Sequence, residues 1–202
     1  MAPRRTILAA LAAVAMTSSL LAQTPPEKTP SAEASDYEYV RQSLTASSFA
    51  LAASRLAASK AKMDDLREFA ELETAEQETL ADVLKSLTVQ NASASDLMVG
   101  RPGDAEVEQN LDQRGRQTLE RLRAEPPGVE FDRAYLGAVA NGHLELLRIQ
   151  ETWLDSGRTS RGDVVNVAKL ARSMLREHLQ LLSDIESGLE AESPTTGIAP
   201  GK

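Results

Sequence analysis

Cysteine is absent from this chain of 202 residues. Its absence excludes disulfide bonds, thiolate chemistry and a lipid anchor attached through cysteine, so ordinary packing must stabilise the fold. The sequence also lacks a Gly-x-Ser-x-Gly elbow, a phosphate-binding glycine loop and a His-Glu-x-x-His motif. No reaction is therefore indicated, and a protein without enzymatic activity is the favoured interpretation.

Basic residues are in the minority. The chain has 22 Lys and Arg against 30 Asp and Glu, which gives a formal net charge of -8 at pH 7. An acidic protein repels the phosphates of nucleic acids and of anionic membrane surfaces, so neither is expected as a partner. We expect instead protein partners in the cell envelope, because the N-terminus indicates export.

Residues 1–22 are typical of a secretory signal peptide. Arg4 and Arg5 form a positive start, an apolar run extends from Ile7 to Met16, and small residues between Ser18 and Ala22 precede the expected cleavage site. The apolar run is shorter than the ~20 residues that span a bilayer. We therefore expect a periplasmic or secreted protein with no integral membrane span after cleavage.

The remaining chain is predicted to contain one folded domain. Residues 23–36 are rich in Pro, Ser, Ala and Thr and are predicted to be a flexible linker, and residues 191–202 have the same character and are predicted to be a disordered tail. Residues 37–190 are long enough to bury a single sizeable core. We expect them to form a helical bundle domain.

Hydrophobic periodicity predicts helices and no convincing strand. Four long helices are expected at about residues 37–60, 63–87, 131–154 and 163–189, with a shorter one at about 105–124. The first helix has two candidate apolar faces, so its register stays open. The predicted fold is all-α, an up-down four-helix bundle with an additional short helix between its second and third long helices.

Four polar residues lie on apolar stripes of three predicted helices. The chain has two histidines, and His143 and His178 each occupy the buried face of a long helix. Glu73 and Gln77 lie at the centre of the apolar face of the second helix, about 6 Å apart along its axis. A buried carboxylate is costly unless it is paired, hydrogen-bonded, protonated or bound to a metal.

Two interpretations of these four residues stay open. They form either a polar network that satisfies itself, or a metal site with His143, His178, Glu73 and Gln77 as ligands. The ligand types suit Zn, Cu, Ni or Fe and do not choose among them. The Glu-x-x-His pairs of di-iron bundles are missing, since Ala140 and Leu175 stand in the glutamate positions. A ferroxidase or di-iron oxygenase is therefore not expected.

Other acidic residues receive ordinary structural interpretations. Asp132 falls near the start of the third long helix, where a carboxylate complements the helix dipole. The second helix carries an acidic face that we expect to be solvated, formed by Glu68, Glu71, Glu78 and Asp82.

Two segments carry a resemblance to a known family. They are Phe131–Leu136 followed by His143, and Leu175–Leu179 around His178. From Tyr39 to Leu189 the order of segments resembles a bacterial secreted family, domain of unknown function 4142, one of the ferritin-like four-helix bundles. The resemblance implies that fold and an exported protein.

The resemblance also implies a metal constellation that this chain retains only in part. Family members usually have Asp-His where this chain has Glu76-Gln77, and an acidic residue in the first helix where it has Ala50 or Ala52. His143 and His178 are kept. The favoured function is an exported, non-enzymatic bundle that acts through partners in envelope maintenance or stress. The alternative is a metal-binding or metal-handling bundle that uses His143, His178 and Glu73.

Overall fold

The computed structural model describes residues 32–88, 100–158 and 160–191. These residues form helices and no strand, so the predicted all-α class is confirmed. The helices are α1 (Ala32–Lys60), α2 (Asp64–Ser86), α3 (Asp104–Asn110), α4 (Gln113–Ala124), α5 (Val129–Asp155) and α6 (Gly162–Ala191). The predicted signal peptide and residues 192–202 of the predicted tail lie outside the described residues.

Helix α1 begins earlier than the sequence predicts. Its first residue is Ala32, so residues 32–36 belong to the helix and not to the predicted linker. The side chain of Asp36 is buried and accepts hydrogen bonds from Ser160 Oγ and, at 3.1 Å, from the backbone N–H of Arg161. These contacts with the segment before α6 fix a polar stretch that composition alone marks as flexible.

The short helix predicted at about 105–124 is in fact two helices. The chain is extended at Leu111 and Asp112, between α3 and α4. Asp112 is the N-cap of α4, because its Oδ1 accepts a hydrogen bond of 2.6 Å from the backbone N–H of Gly115. An aspartate that caps a new helix competes with continuation of the previous one, which explains the break.

The direction of the helices differs from the predicted up-down order. Tyr39 contacts Gln150 and Ser54 contacts Tyr135, so α1 and α5 run antiparallel. Helices α1 and α2 are joined by a short turn and pack together, so they are antiparallel as well. Helices α2 and α5 therefore run in the same direction. The connection that contains α3 and α4 is therefore a crossover along the length of the bundle.

Small side chains let α1 approach its neighbours closely. Helix α1 packs against α2, α5, α3 and α4, while α5 packs against α6. The buried face of α1 settles the register that the sequence left open. It contains Tyr39, Val40, Ser43, Ser47, Ala50, Leu51, Ala53, Ser54 and Ala57. No helix in the described ranges is long and apolar enough to cross a membrane.

Two acidic residues are buried and have partners that the sequence did not indicate. Asp132, 2% exposed, accepts hydrogen bonds from the backbone N–H groups of Lys62 and Met63 and so holds the turn between α1 and α2. Glu78 was expected on a solvated face, and that prediction is wrong. It is 9% exposed and lies 2.9 Å from an Arg55 nitrogen, because α1 covers this side of α2.

Candidate metal centre

Three of the four predicted site residues meet in the core. Glu73 comes from α2, His143 from α5 and His178 from α6, and their side chains are almost fully buried. Each offers one ligand atom, and these atoms all lie within 4.8 Å of one another. The structure thus joins residues that are far apart in the sequence into one cluster.

The apolar stripes of the three helices enclose the cluster. His143 lies between the buried Val139 and Leu146 on α5, and His178 between Leu175 and Leu182 on α6. The ring of Phe69 packs edge-on against the ring of His178, with the centroids 5.6 Å apart. This packing keeps water away and lowers the local dielectric, which strengthens the interactions among the polar groups.

A backbone carbonyl orients the ring of His143. Its Nδ1 lies 2.9 Å from the carbonyl oxygen of Val139, and a carbonyl can only accept, so Nδ1 carries a proton and donates it. Nε2 is thereby directed into the cluster, 3.3 Å from Glu73 Oε2 and 3.1 Å from His178 Nδ1. In the neutral ring this nitrogen offers a lone pair.

A carboxylate lies beside each ring nitrogen of His178. Its Nε2 lies 2.6 Å from Glu76 Oε2, and its Nδ1 lies 2.8 Å from Glu73 Oε2. Glu76 is half-buried and was not among the predicted site residues. Glu76 lies three residues after Glu73 and therefore one helical turn further along the same side of α2. This spacing is the signal in the sequence that could have identified Glu76 as part of the site.

Charge in the cluster is balanced by protons in the metal-free protein. Burial raises the pKa of Glu73, but the hydrogen-bond and charge interactions of this carboxylate with His143 and His178 outweigh burial and lower the pKa to about 2. Burial lowers the pKa of His178, but the hydrogen bonds and negative charge of Glu73 and Glu76 outweigh it and raise the pKa. Both shifts favour an ion pair between a charged Glu73 and a protonated His178.

One donor atom of the cluster has no hydrogen bond. Glu73 Oε1 is buried and accepts none from a described residue, although His143 Nε2 lies 3.3 Å away. If both rings were neutral, two imidazole lone pairs and a carboxylate would face one another. A cation placed between them satisfies all three groups at once.

Gln77 reaches the core but is engaged elsewhere. It is fully buried, and its Oε1 accepts a hydrogen bond of 2.7 Å from Ser47 Oγ on α1. Its Nε2 has no partner among the described residues. The oxygen that would bind a metal thus already accepts a hydrogen bond. The role of Gln77 as a ligand stays a prediction.

Comparison with known proteins supplies the family. The model of a family named domain of unknown function (DUF4142) matches residues 21–185, which include all three donors of the cluster. The chain belongs to the DUF4142 family. No curated protein and no solved structure matches it. Family membership therefore supplies no activity, and the chemistry must be argued from the cluster itself.

Proposed function

We propose that this DUF4142 protein binds one transition-metal ion through Glu73, His143 Nε2 and His178 Nδ1. The observation that carries the proposal is the convergence of three buried donor atoms within 4.8 Å, from three different helices. Two imidazoles and a carboxylate suit Zn, Cu, Ni or Fe. A fourth ligand, such as a water molecule, would complete a tetrahedral site.

The groups around the donors support this proposal. A metal-binding histidine usually donates its second ring N–H to a carboxylate or a backbone carbonyl, which fixes the tautomer and the direction of the ligating nitrogen. His143 has the carbonyl of Val139 in this position, and His178 has the carboxylate of Glu76. The inner nitrogen of each ring is directed toward Glu73, at 3.3 Å for His143 and 2.8 Å for His178.

Burial favours holding an ion over catalysis. Glu73 and His143 are 0% exposed and His178 is 2% exposed, so a substrate larger than water cannot reach the donors without movement of the helices. We therefore propose metal binding or metal handling as the function.

The setting of the site is part of the proposal. We infer a ferritin-like arrangement of α1, α2, α5 and α6, supported by the crossover that joins α2 to the parallel α5, since ferritin-like bundles have one such connection. The signal peptide predicted at residues 1–22 supports export to the periplasm or beyond. A bundle that takes up metal in the envelope, alone or with protein partners, is consistent with both.

The test is a metal titration of the protein after removal of metal by a chelator. Calorimetry with Zn²⁺, Cu²⁺ and Ni²⁺, and with Fe²⁺ under anaerobic conditions, should show one saturable site per chain for at least one ion. His178→Leu should abolish that site. Glu73→Gln retains the shape of the side chain and should weaken binding while leaving the helical content unchanged.

A matched control separates the site from the core in general. Gln150→Leu also removes a buried polar group from the bundle, one that accepts a hydrogen bond from Tyr39, and it should leave the binding of metal intact. Absence of saturable binding by the folded wild-type protein for every ion would overturn the proposal. Equal loss in Gln150→Leu and His178→Leu would do the same.

A further inference from the structure

A long groove opens between α1, α4 and α5. Its volume is about 1070 Å³, and its lining on α5 extends from Ala134 to Thr152. At a rise of 1.5 Å per residue the groove is about 27 Å long. None of the three donors of the metal centre lines it, so the groove is a separate feature of the molecule.

The groove is lined in part by small and apolar side chains. Ala46 and Phe49 of α1 face Ala138 and Gly142 of α5, with Leu122 on the side of α4. Gly142 lies close to the ring of Phe49, since a Cβ atom there would be 3.3 Å from Phe49 Cδ1. The ring of Phe49 therefore occupies the space beside Gly142. Polar side chains complete the lining, among them Gln42, Thr45, Thr118 and Asn141, so the channel between α1 and α5 is apolar only in part.

Arginines are concentrated around this channel. Arg41, Arg114, Arg121 and Arg148 line it and no lysine does, although the whole chain carries a net charge of -8. Arg41 and Arg148 are paired with Glu38 and Glu145, at 2.6 Å in each case.

The two remaining arginines lie on α4. Arg114 and Arg121 are exposed and form no salt bridge with a described residue. Arg121 donates a hydrogen bond to Thr118, and the charge of Arg114 helps to lower the pKa of Glu145. Three carboxylates also line the groove, of which Asp112 caps α4, Glu145 binds Arg148, and Glu125 lies just after α4. Two guanidinium groups without a salt-bridge partner among the described residues thus lie beside the channel.

We propose that this groove binds a free long-chain fatty acid. The apolar floor would take the acyl chain, and Arg114 or Arg121 would bind the carboxylate through charge-assisted hydrogen bonds, for which the planar guanidinium is suited. A chain that fills one leaflet of a bilayer is about 15 Å long, half of the ~30 Å hydrocarbon core, and fits with its headgroup inside the groove. The volume also agrees with the upper range of ligand sites, about 1,000 Å³.

The experiment measures binding of palmitate to the full chain below its micelle concentration. The wild type should bind one palmitate per chain, and hexadecanol, which lacks the charge, should bind more weakly. The double variant Arg114→Gln, Arg121→Gln should lose about tenfold in affinity or more, as expected for loss of a charged hydrogen bond. Ala138→Glu should abolish binding, because it places a negative charge in the channel.

Matched variants on other faces control for charge and folding. Ala75→Glu adds the same charge at an exposed position of α2, and Lys169→Gln, Arg172→Gln removes two positive charges from α6. Both should bind palmitate like the wild type. The proposal is overturned if the wild type shows no saturable binding of palmitate, or if the controls lose as much affinity as the groove variants. It is also overturned if hexadecyl phosphate or an acidic helical peptide binds and palmitate does not.

Discussion

At the scale of single residues, the two ring nitrogens of His178 have carboxylate neighbours of different kinds. Glu73 is fully buried and contacts Nδ1, whereas Glu76 is half-buried and contacts Nε2. Under the proposed function Glu73 is a ligand and Glu76 is a positioning residue. The two glutamates therefore give different results when each is changed to glutamine.

Glu76→Gln should weaken metal binding without abolishing it. Loss of an outer carboxylate typically costs 10- to 100-fold in affinity, so we expect a reduction of roughly that size in calorimetry. The signals of the His178 ring nitrogens in NMR should shift, since Gln no longer fixes the tautomer. Glu71→Gln, the same change at an exposed site on α2, is the control. Unchanged affinity in Glu76→Gln would remove Glu76 from the site.

Glu73 and His178 should also depend on one another in the metal-free protein. Changing either residue alone to Leu leaves a buried polar partner behind, whereas changing both removes the pair. A double-mutant cycle from urea unfolding should show a coupling of about 1 kcal/mol or more. Additive effects of the two changes would mean that the side chains do not interact.

This coupling should depend on pH in a defined window. The pKa of Glu73 is lowered from 4.5 to about 2, so its contribution is present above pH 4.5 and is lost as the pH falls toward 2. The pKa of His178 is raised above 6.5, so its contribution is present below pH 6.5 and is lost as the pH rises through the folded value. The cycle should therefore give its largest coupling between about pH 4.5 and 6.5, and a coupling that rises steadily outside this window would contradict the assignment.

At the scale of helices, Asp132 connects the start of α5 to the turn that precedes α2. Asp132→Ala leaves the backbone N–H groups of Lys62 and Met63 without their acceptor. We expect a loss of about 1–3 kcal/mol in the free energy of unfolding, as for partly buried donors left unsatisfied. Glu130→Ala, at an exposed position in the same turn of α5, should change it little. Similar losses in both variants would indicate only an effect on the helix dipole.

The helices that the sequence predicted best are those with one clear apolar stripe. The predicted ranges of α2, α5 and α6 agree with the structure to within two residues at each end. For α1, apolar and small residues surround the helix, so only its packing against α2, α4 and α5 selects the buried face. The break at Asp112 is a local cap that hydrophobic periodicity does not register.

The candidate site, too, was predictable where the signal lies within one helix and not where it depends on packing between helices. Glu73, His143 and His178 stood out because each polar residue interrupts an apolar stripe, and that signal lies within a single helix. The partners of Glu78 and Asp132 come from other helices, namely Arg55 of α1 and the turn at Met63. Such partners depend on tertiary contacts, which one sequence does not contain.

At the scale of the whole molecule, metal binding should stabilise the fold. An ion that binds only the folded state adds about 2.7 kcal/mol when its free concentration is about 100 times Kd. Urea unfolding of the wild type should therefore shift to higher denaturant when the ion is present and return after addition of a chelator. Glu73→Gln should show a much smaller shift. An equal shift in both proteins would locate the ion elsewhere.

The separation of the donors along the chain has a consequence for exchange of amide protons. Glu73 and His143 are 70 residues apart, and His143 and His178 are 35 apart, so one ion would tie together two long loops. A tie of this kind restricts the chain as a disulfide does, in a protein that has no cysteine. With the ion bound, amide protons of α2, α5 and α6 near the site would exchange only when the whole bundle unfolds. In the metal-free protein, α6 could separate by itself, and its amide protons would then exchange faster than those of α2 and α5.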